Sequence, residues 1–358
     1  MLNHIEELWA KAGLLKESFE EYSLCASGVY SKAQELVRCP EDVPAEFRVS
    51  CLPVPAEFFS LRKNLFSTLF QSVYRILGVK EERRRLYGGL NHLFRVWVTS
   101  ADNLLDGEDK ITLPLKMPGE SRIMRQVISI MAADRIMKRM LDEAQGKAVI
   151  TREESSILSE RSLQILLPSA AEEASEEGGI WRRPHPDYVL NTIHKLKTGL
   201  LFHIPFLGPE AIEAGMDTDK LFACKEGLAR FGLGCQLLDD IRDMAGDYLE
   251  KRHNYVLSWI FWKERSGDIE LLKELEKDMR IQDKIFPYFK GAVPAAADLA
   301  GDLLLDGLTI LDKRGLGLGE YAIKRMALSM FKVLDVGELA KCRLQAAPLT
   351  MQPAFMTS

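Results

Sequence analysis

The stretch Phe231-Gly-Leu-Gly-Cys-Gln-Leu-Leu-Asp-Asp-Ile-Arg-Asp-Met-Ala-Gly-Asp247 constrains this chain more than any other. It opens apolar, with Phe231, Leu233, Leu237 and Leu238, and then delivers four carboxylates, Asp239, Asp240, Asp243 and Asp247, within nine residues. On a helix, residues four apart share a face, so Asp239, Asp243 and Asp247 stack one above another while Asp240 points elsewhere. Inside the run only Arg242 offsets the stack, and like charges at that spacing repel. One resolution is a solvated acidic helix face. The other is bound cations: carboxylate oxygens suit a hard ion such as Mg²⁺, which completes its octahedron with water and phosphate oxygens.

A second acidic cluster favours the cations. In Trp97-Val-Thr-Ser-Ala-Asp-Asn-Leu-Leu-Asp-Gly-Glu-Asp109, Asp102 and Asp106 are again four apart and again follow an apolar helical run. Two such pairs facing one another would hold several divalent ions. The rest of the chain agrees with a helical frame. Apolar residues recur at helical spacing, β-branched runs are scarce and no strand alternation is present, so the expected fold is all-α, roughly ten or more helices around a central cavity.

Taken in order, residues 2–37 read as one or two helices and Pro40 to Pro55 as a loop. A helix is expected from Phe58 to about Leu77, with Gly78 as its C-cap, and another from Glu81 to about Asp106. Further helices are expected over 121–145, 151–167, 187–202 and 221–247, with two or three more between Asn254 and Val336. Glu172-Glu173 and Glu176-Glu177 read as a solvated loop, in a stretch from Ser169 to Gly179 that Pro184 and Pro186 close. No composition break divides the chain of 358 residues, so one domain over 1–345 and a loose tail over 346–358 are expected.

Charge and cysteine usage exclude several function classes. A net charge of −5 argues against nucleic acid as a main partner, while bound Mg²⁺ would reverse the local field for an anionic substrate. The six cysteines are scattered, with no CxxC pair and no His at zinc-ligand spacing, which fits a reduced, cytoplasmic compartment. No apolar stretch is long enough for a transmembrane helix, and residues 1–20 lack a signal-peptide core. The histidines are dispersed and read as core or surface residues, and Cys235 reads as packing.

Three motifs together resemble a known family. Asp102-Asn-Leu-Leu-Asp106 resembles the first aspartate-rich motif, DDxxD, of the trans-isoprenyl diphosphate (polyprenyl) synthases. Gly234-Cys-Gln-Leu-Leu-Asp-Asp-Ile-Arg-Asp243 resembles their second, GxxFQxxDDxxD without its Phe, and Lys197-Thr-Gly-Leu-Leu-Phe202 looks like their Lys-Thr motif. The resemblance covers roughly residues 60–255. It implies a homodimeric prenyltransferase that takes an allylic diphosphate and isopentenyl diphosphate and uses Mg²⁺, three ions with the bound diphosphate. Asp102, Asp106, Asp239 and Asp243 would hold the metal, Lys197 would add a point charge to the diphosphate, and Thr198 and Gln236 would orient it. Trp97, Val98 and Phe94, one to two turns before Asp102, would floor a dry, apolar cavity.

The chain departs from the pattern on the side of the second substrate. The Gly-Lys-x-x-Arg motif that binds isopentenyl diphosphate is absent, and so is the arginine pair after the first aspartate motif. Arg62, Lys63 and Arg95 stand near the missing charges, and Lys251 near the lysine expected past the second motif. That asymmetry keeps a class I terpene cyclase open as an alternative, since Asp239, Asp243 and Asp247 match the i, i+4, i+8 spacing of its second metal motif. A non-catalytic subunit of a synthase is a further alternative, against which the retained carboxylates count.

Overall fold

Asn64 shows how local chemistry shapes the first half of this computed structural model, which describes residues 13–119, 121–263, 266–278 and 284–340. Its Nδ2 donates to the Phe58 carbonyl at 2.7 Å and to the Ser60 carbonyl at 2.9 Å. A side chain that takes these carbonyls competes with helical bonding. The helix expected from Phe58 therefore begins only at Leu65, after two short 3₁₀ turns at Ala56–Phe59 and Arg62–Asn64. It ends as the sequence implies: Gly78 is left-handed, at φ 74°, and Val79 N–H returns to the Tyr74 carbonyl at 3.0 Å.

The fold is all-α. The helices are α1 (Gly13–Leu36), α2 (Leu65–Ile76), α3 (Glu81–Leu105), α4 (Arg122–Gly146), α5 (Arg152–Gln164), α6 (Leu167–Glu176), α7 (Pro186–Tyr188), α8 (Leu207–Ile212), α9 (Thr218–Arg242), α10 (Met244–Leu249), α11 (Tyr255–Trp262), α12 (Ser266–Lys277), α13 (Ala292–Leu311) and α14 (Gly319–Val333). The only strands among the described residues, β1 (Ser50–Cys51) and β2 (Leu115–Lys116), form one short antiparallel pair. Among the described residues, the region after Asn254 holds four helices rather than two or three. No described helix is long and apolar enough to cross a membrane. The start of the one or two helices expected over 2–37 and the tail over 346–358 lie outside the described residues.

The chain's contacts fall into two compact units, each assembled from separated segments. The first comprises the described residues up to Pro168, with Leu200–Glu226 and Ile310–Leu318. Helix α3 is its spine. Leu86, Leu90 and Phe94, four apart, pack with Tyr74, Leu141, Leu158 and Leu207, while Leu93 and Val96 turn to Tyr22, Val29 and Ile136 on α1 and α4. Trp97 touches both clusters. Burial on both flanks fixes the direction in which α3 delivers Asp102 and Asp106.

The second unit takes Ser169–Gly199, Gly227–Thr309 and the residues from Gly319. Here α9 and α13 approach so closely that two glycines are required. A methyl group on Gly234 would stand 2.8 Å from the Ala300 carbonyl oxygen, and one on Gly307 would stand 2.6 Å from the Gly227 carbonyl oxygen and 2.7 Å from the Phe231 nitrogen. The glycine that opens the second aspartate motif is thus a helix-packing residue.

Candidate active site

In the first unit, Asp102 and Asp106 occupy the final turn of α3, where Asp106 N–H donates to the Asp102 carbonyl at 2.8 Å. A helix C-terminus presents carbonyls and a negative dipole, which favours cations. Between them, Asn103 stands where the resembled motif has a second aspartate. Its side chain is buried, donates from Nδ2 to the Lys110 carbonyl at 2.8 Å and accepts from Lys110 N–H at 3.1 Å. A carboxylate could keep only the second bond. Asn103→Asp is expected to cost about 1–3 kcal/mol in chemical unfolding, the penalty of an unpaired buried carbonyl. Unchanged stability would remove this role from Asn103.

Two turns earlier on α3, Arg95 Nη1 donates to Asn64 Oδ1 at 2.7 Å. The same Asn64 orders the turn that carries Arg62 and Lys63, so the three basic residues are brought to one neighbourhood. Arg62 and Lys63 are exposed; Lys63 Nζ lies 3.6 Å from Glu57 Oε1 and over the Phe58 ring. Phe94 is buried in the core of this unit, and Trp97 and Val98 pack against it.

His92, one turn before Arg95, is buried and shares a 2.7 Å hydrogen bond between its Nδ1 and Tyr22 OH. Burial, with the Arg95 charge adding to it, pushes its pKa down to about 3. A depressed pKa contributes stability above the unfolded value near 6.5 and loses it as pH falls toward the folded one. Between pH 7 and pH 4, unfolding free energy is expected to fall by roughly 3 kcal/mol from this residue, and His92→Gln to flatten that slope. Equal slopes for the two proteins would show that His92 does not titrate on unfolding.

In the second unit, Lys197 and Thr198 lie in a π-helical stretch, Lys195–Gly199, which follows another at Val189–Ile193. Such wide turns are rare and cluster at functional sites. Thr198 Oγ1 donates to Gln236 Oε1, and Gln236 Nε2 donates to Asp240 Oδ1 at 2.9 Å. Asp240, which a helix turns away from the stacked carboxylates, is buried, and its Oδ2 meets His194 Nε2 at 2.7 Å and Tyr255 N–H at 2.6 Å. It locks α9 to the Lys-Thr segment and to α11.

The helix expected over 221–247 breaks at Asp243, yet Asp243 N–H and Asp247 N–H still reach the carbonyls four residues back, each at 2.9 Å. The i, i+4 stacking survives the break. Arg242 lies between the first two carboxylates, with Nη2 2.5 Å from both Asp239 Oδ1 and Asp243 Oδ2. A cation thus already bridges this pair. The all-oxygen donors of Asp239 and Asp243, like those of Asp102 and Asp106, fit Mg²⁺. Asp247 is different. Burial and the nearby Asp240 raise its pKa well above the usual carboxylate range, and its Oδ2 accepts from Asn254 Nδ2 at 2.7 Å.

Lys197 is firmly paired: Nζ lies 2.8 Å from Glu173 Oε1 and 3.0 Å from Glu176 Oε1. Burial opposes the ammonium, but Glu176, Glu173 and Glu172 hold its pKa above the ordinary lysine value. Those glutamates overturn the solvated-loop reading. They sit on α6, where Glu172 and Glu176 are buried four residues apart and face a cation. Glu176 Oε2 also accepts the His253 N–H at 2.6 Å. Lys251 is exposed and left-handed at φ 57°, with its carbonyl accepting from Ile180 N–H. The glutamate cluster is what sequence reading missed; its signal was the i, i+4 spacing already used for the aspartates.

Neither a family model nor a curated protein matches the chain. Solved structures do. A geranylgeranyl pyrophosphate synthetase from the archaeon Geoglobus acetivorans is 15% identical, with a TM-score of 0.56 over 90% of this chain and 99% of that one. The chain has the polyprenyl synthase fold. A decaprenyl diphosphate synthase from Rhodobacter capsulatus, 14% identical, superposes with a TM-score of 0.53 over 94% and 99% of the two chains. A polyprenyl synthase from Caulobacter crescentus, solved with calcium and isoprenyl diphosphate, gives 16% identity and a TM-score of 0.50 over 92% and 96%.

Proposed function

We propose that the chain is a Mg²⁺-dependent prenyltransferase that ionises an allylic isoprenoid diphosphate and condenses it with isopentenyl diphosphate. The observation that carries this reading is the Thr198–Gln236–Asp240 hydrogen-bond series, which joins the Lys-Thr segment to the second aspartate motif across 38 residues of sequence. A solvated acidic face has no need of that connection. Bound at the aspartate pairs, Mg²⁺ would offset charge developing on the departing diphosphate. Lys197 reaches phosphate oxygens by exchanging the Glu173 or Glu176 carboxylate for them. Thr198 and Gln236 orient the group, and Lys251 closes over it. Arg62, Lys63 and Arg95, gathered around Asn64, take the second diphosphate. The protein is expected to act as a cytoplasmic homodimer.

Against the cyclase, the third member of its metal triad would be Asp247, whose carboxyl is buried, held by Asn254 and pushed by burial well above the usual carboxylate pKa range. The deciding experiment incubates the protein with Mg²⁺ and geranyl or farnesyl diphosphate, with and without isopentenyl diphosphate, and identifies products by mass. A longer prenyl diphosphate that forms only with isopentenyl diphosphate supports the synthase. Hydrocarbon or alcohol from the allylic substrate alone supports the cyclase, and no turnover with any substrate refutes both.

A further inference from the structure

Glu172 is a carboxylate without a hydrogen-bond partner. Its side chain is 5% exposed, on the buried face of α6, and neither oxygen has a protein donor. Burying such a group unpaired costs several kcal/mol unless another species satisfies it. Burial, together with Glu176 and Glu173, pushes its pKa up to about 8 despite the nearby Lys197. Beside it are Glu176 and His253, whose Nδ1 is likewise buried with no partner. Ligand atoms of Glu172, Glu176 and His253 all lie within 4.8 Å of one another.

We propose that Glu172, Glu176 and His253 bind a divalent transition-metal ion of the zinc class. Two carboxylates and an imidazole suit Zn²⁺, Mn²⁺ or Fe²⁺, whereas Mg²⁺ prefers oxygen alone, so the donor set separates this site from the aspartate pairs. The surrounding charges permit it. Lys197 keeps Glu173 as a partner at 2.8 Å when the ion shares Glu176, and Arg252 Nη1, 3.8 Å from Glu173 and 3.9 Å from Glu176, stays on the same side. The ion takes the place of the proton on Glu172, which is released to solvent. Glu176 is already positioned, because the His253 backbone N–H holds its Oε2. That bond is independent of the imidazole, so replacing the ring leaves it intact.

The test is a Co²⁺ titration of chelator-stripped full-length protein, followed by visible absorption, then competition with Zn²⁺ and with a large excess of Mg²⁺. One Co²⁺ per chain, displaced by Zn²⁺ but not by Mg²⁺, is expected. Glu172→Gln and His253→Gln are each expected to weaken binding by about a hundredfold, while Glu173→Gln leaves it within a fewfold. Crystals soaked in Zn²⁺ should give an anomalous peak at ligand distance from the three wild-type side chains, a readout that needs no variant. Absence of that peak, absence of stoichiometric binding, or full binding in both Gln variants would overturn the site. Prenyl transfer is read separately, so failure here leaves the proposed activity untouched.

Discussion

Asp239→Ala is expected to lower prenyl transfer by about a thousandfold, the scale seen when a group that stabilises developing charge is removed. The fold should persist. Asp239 is only partly buried, and Arg242 retains its two contacts with Asp243, at 2.7 and 2.5 Å. Asp102→Ala is expected to act comparably, because the α3 terminus keeps its backbone bond from Asp106 to residue 102. Steady-state rates against Mg²⁺ concentration separate the causes. A lost ligand raises the Mg²⁺ needed for half-maximal rate, whereas a damaged fold lowers the melting temperature. A rate within tenfold of wild type for both variants would remove the aspartates from the chemistry.

The largest stability effect is expected at Gly307. An added methyl meets main-chain atoms, the Gly227 oxygen at 2.6 Å and the Phe231 nitrogen at 2.7 Å, which cannot swing aside as a side chain can. Relief requires α13 and α9 to move apart, opening the core between them. Gly307→Ala should cost about 3 kcal/mol or more in denaturant unfolding, at or above the upper end of ordinary overpacking. Gly246→Ala is the control: it meets nothing within 4 Å on α10 and should be neutral or slightly stabilising. Equal midpoints for the two variants would contradict the close approach.

The helical frame was legible because it is written in periodicity: α3 carries Leu86, Leu90 and Phe94 at a spacing that a helix turns to one side, without the apolar–polar alternation of a strand. The aspartate pairs and the Lys-Thr segment were legible as motifs. Less visible were the features set by a distant partner. Glu172 and Glu176 read as a solvated run because Lys197, twenty-one residues beyond Glu176, supplies the buried charge that makes a helix of them worthwhile. Asn64 delayed α2 through side-chain bonds to carbonyls that no hydrophobic pattern records. A helical wheel turns Asp240 away from the stacked aspartates but does not show that His194 and Tyr255 are brought to its other side.

The π-helical stretch at Lys195–Gly199 has a consequence for how such a chain can change. A turn closed by i to i+5 bonds holds one residue more than an α-helical turn between the same anchors. Loss of a single codon from Lys195 or Leu196 would therefore not break the helix; it would let the turn close in the ordinary way. The cost would fall elsewhere. Each residue step is about 100° of rotation, so with the anchors held in place the residues left inside the turn would change direction by up to that angle. Either Lys197 would leave its glutamates or Thr198 would leave Gln236. A deletion scan across this segment would then yield proteins that fold and melt like the parent yet lack its chemistry, which makes the segment a place where activity and architecture can be lost separately.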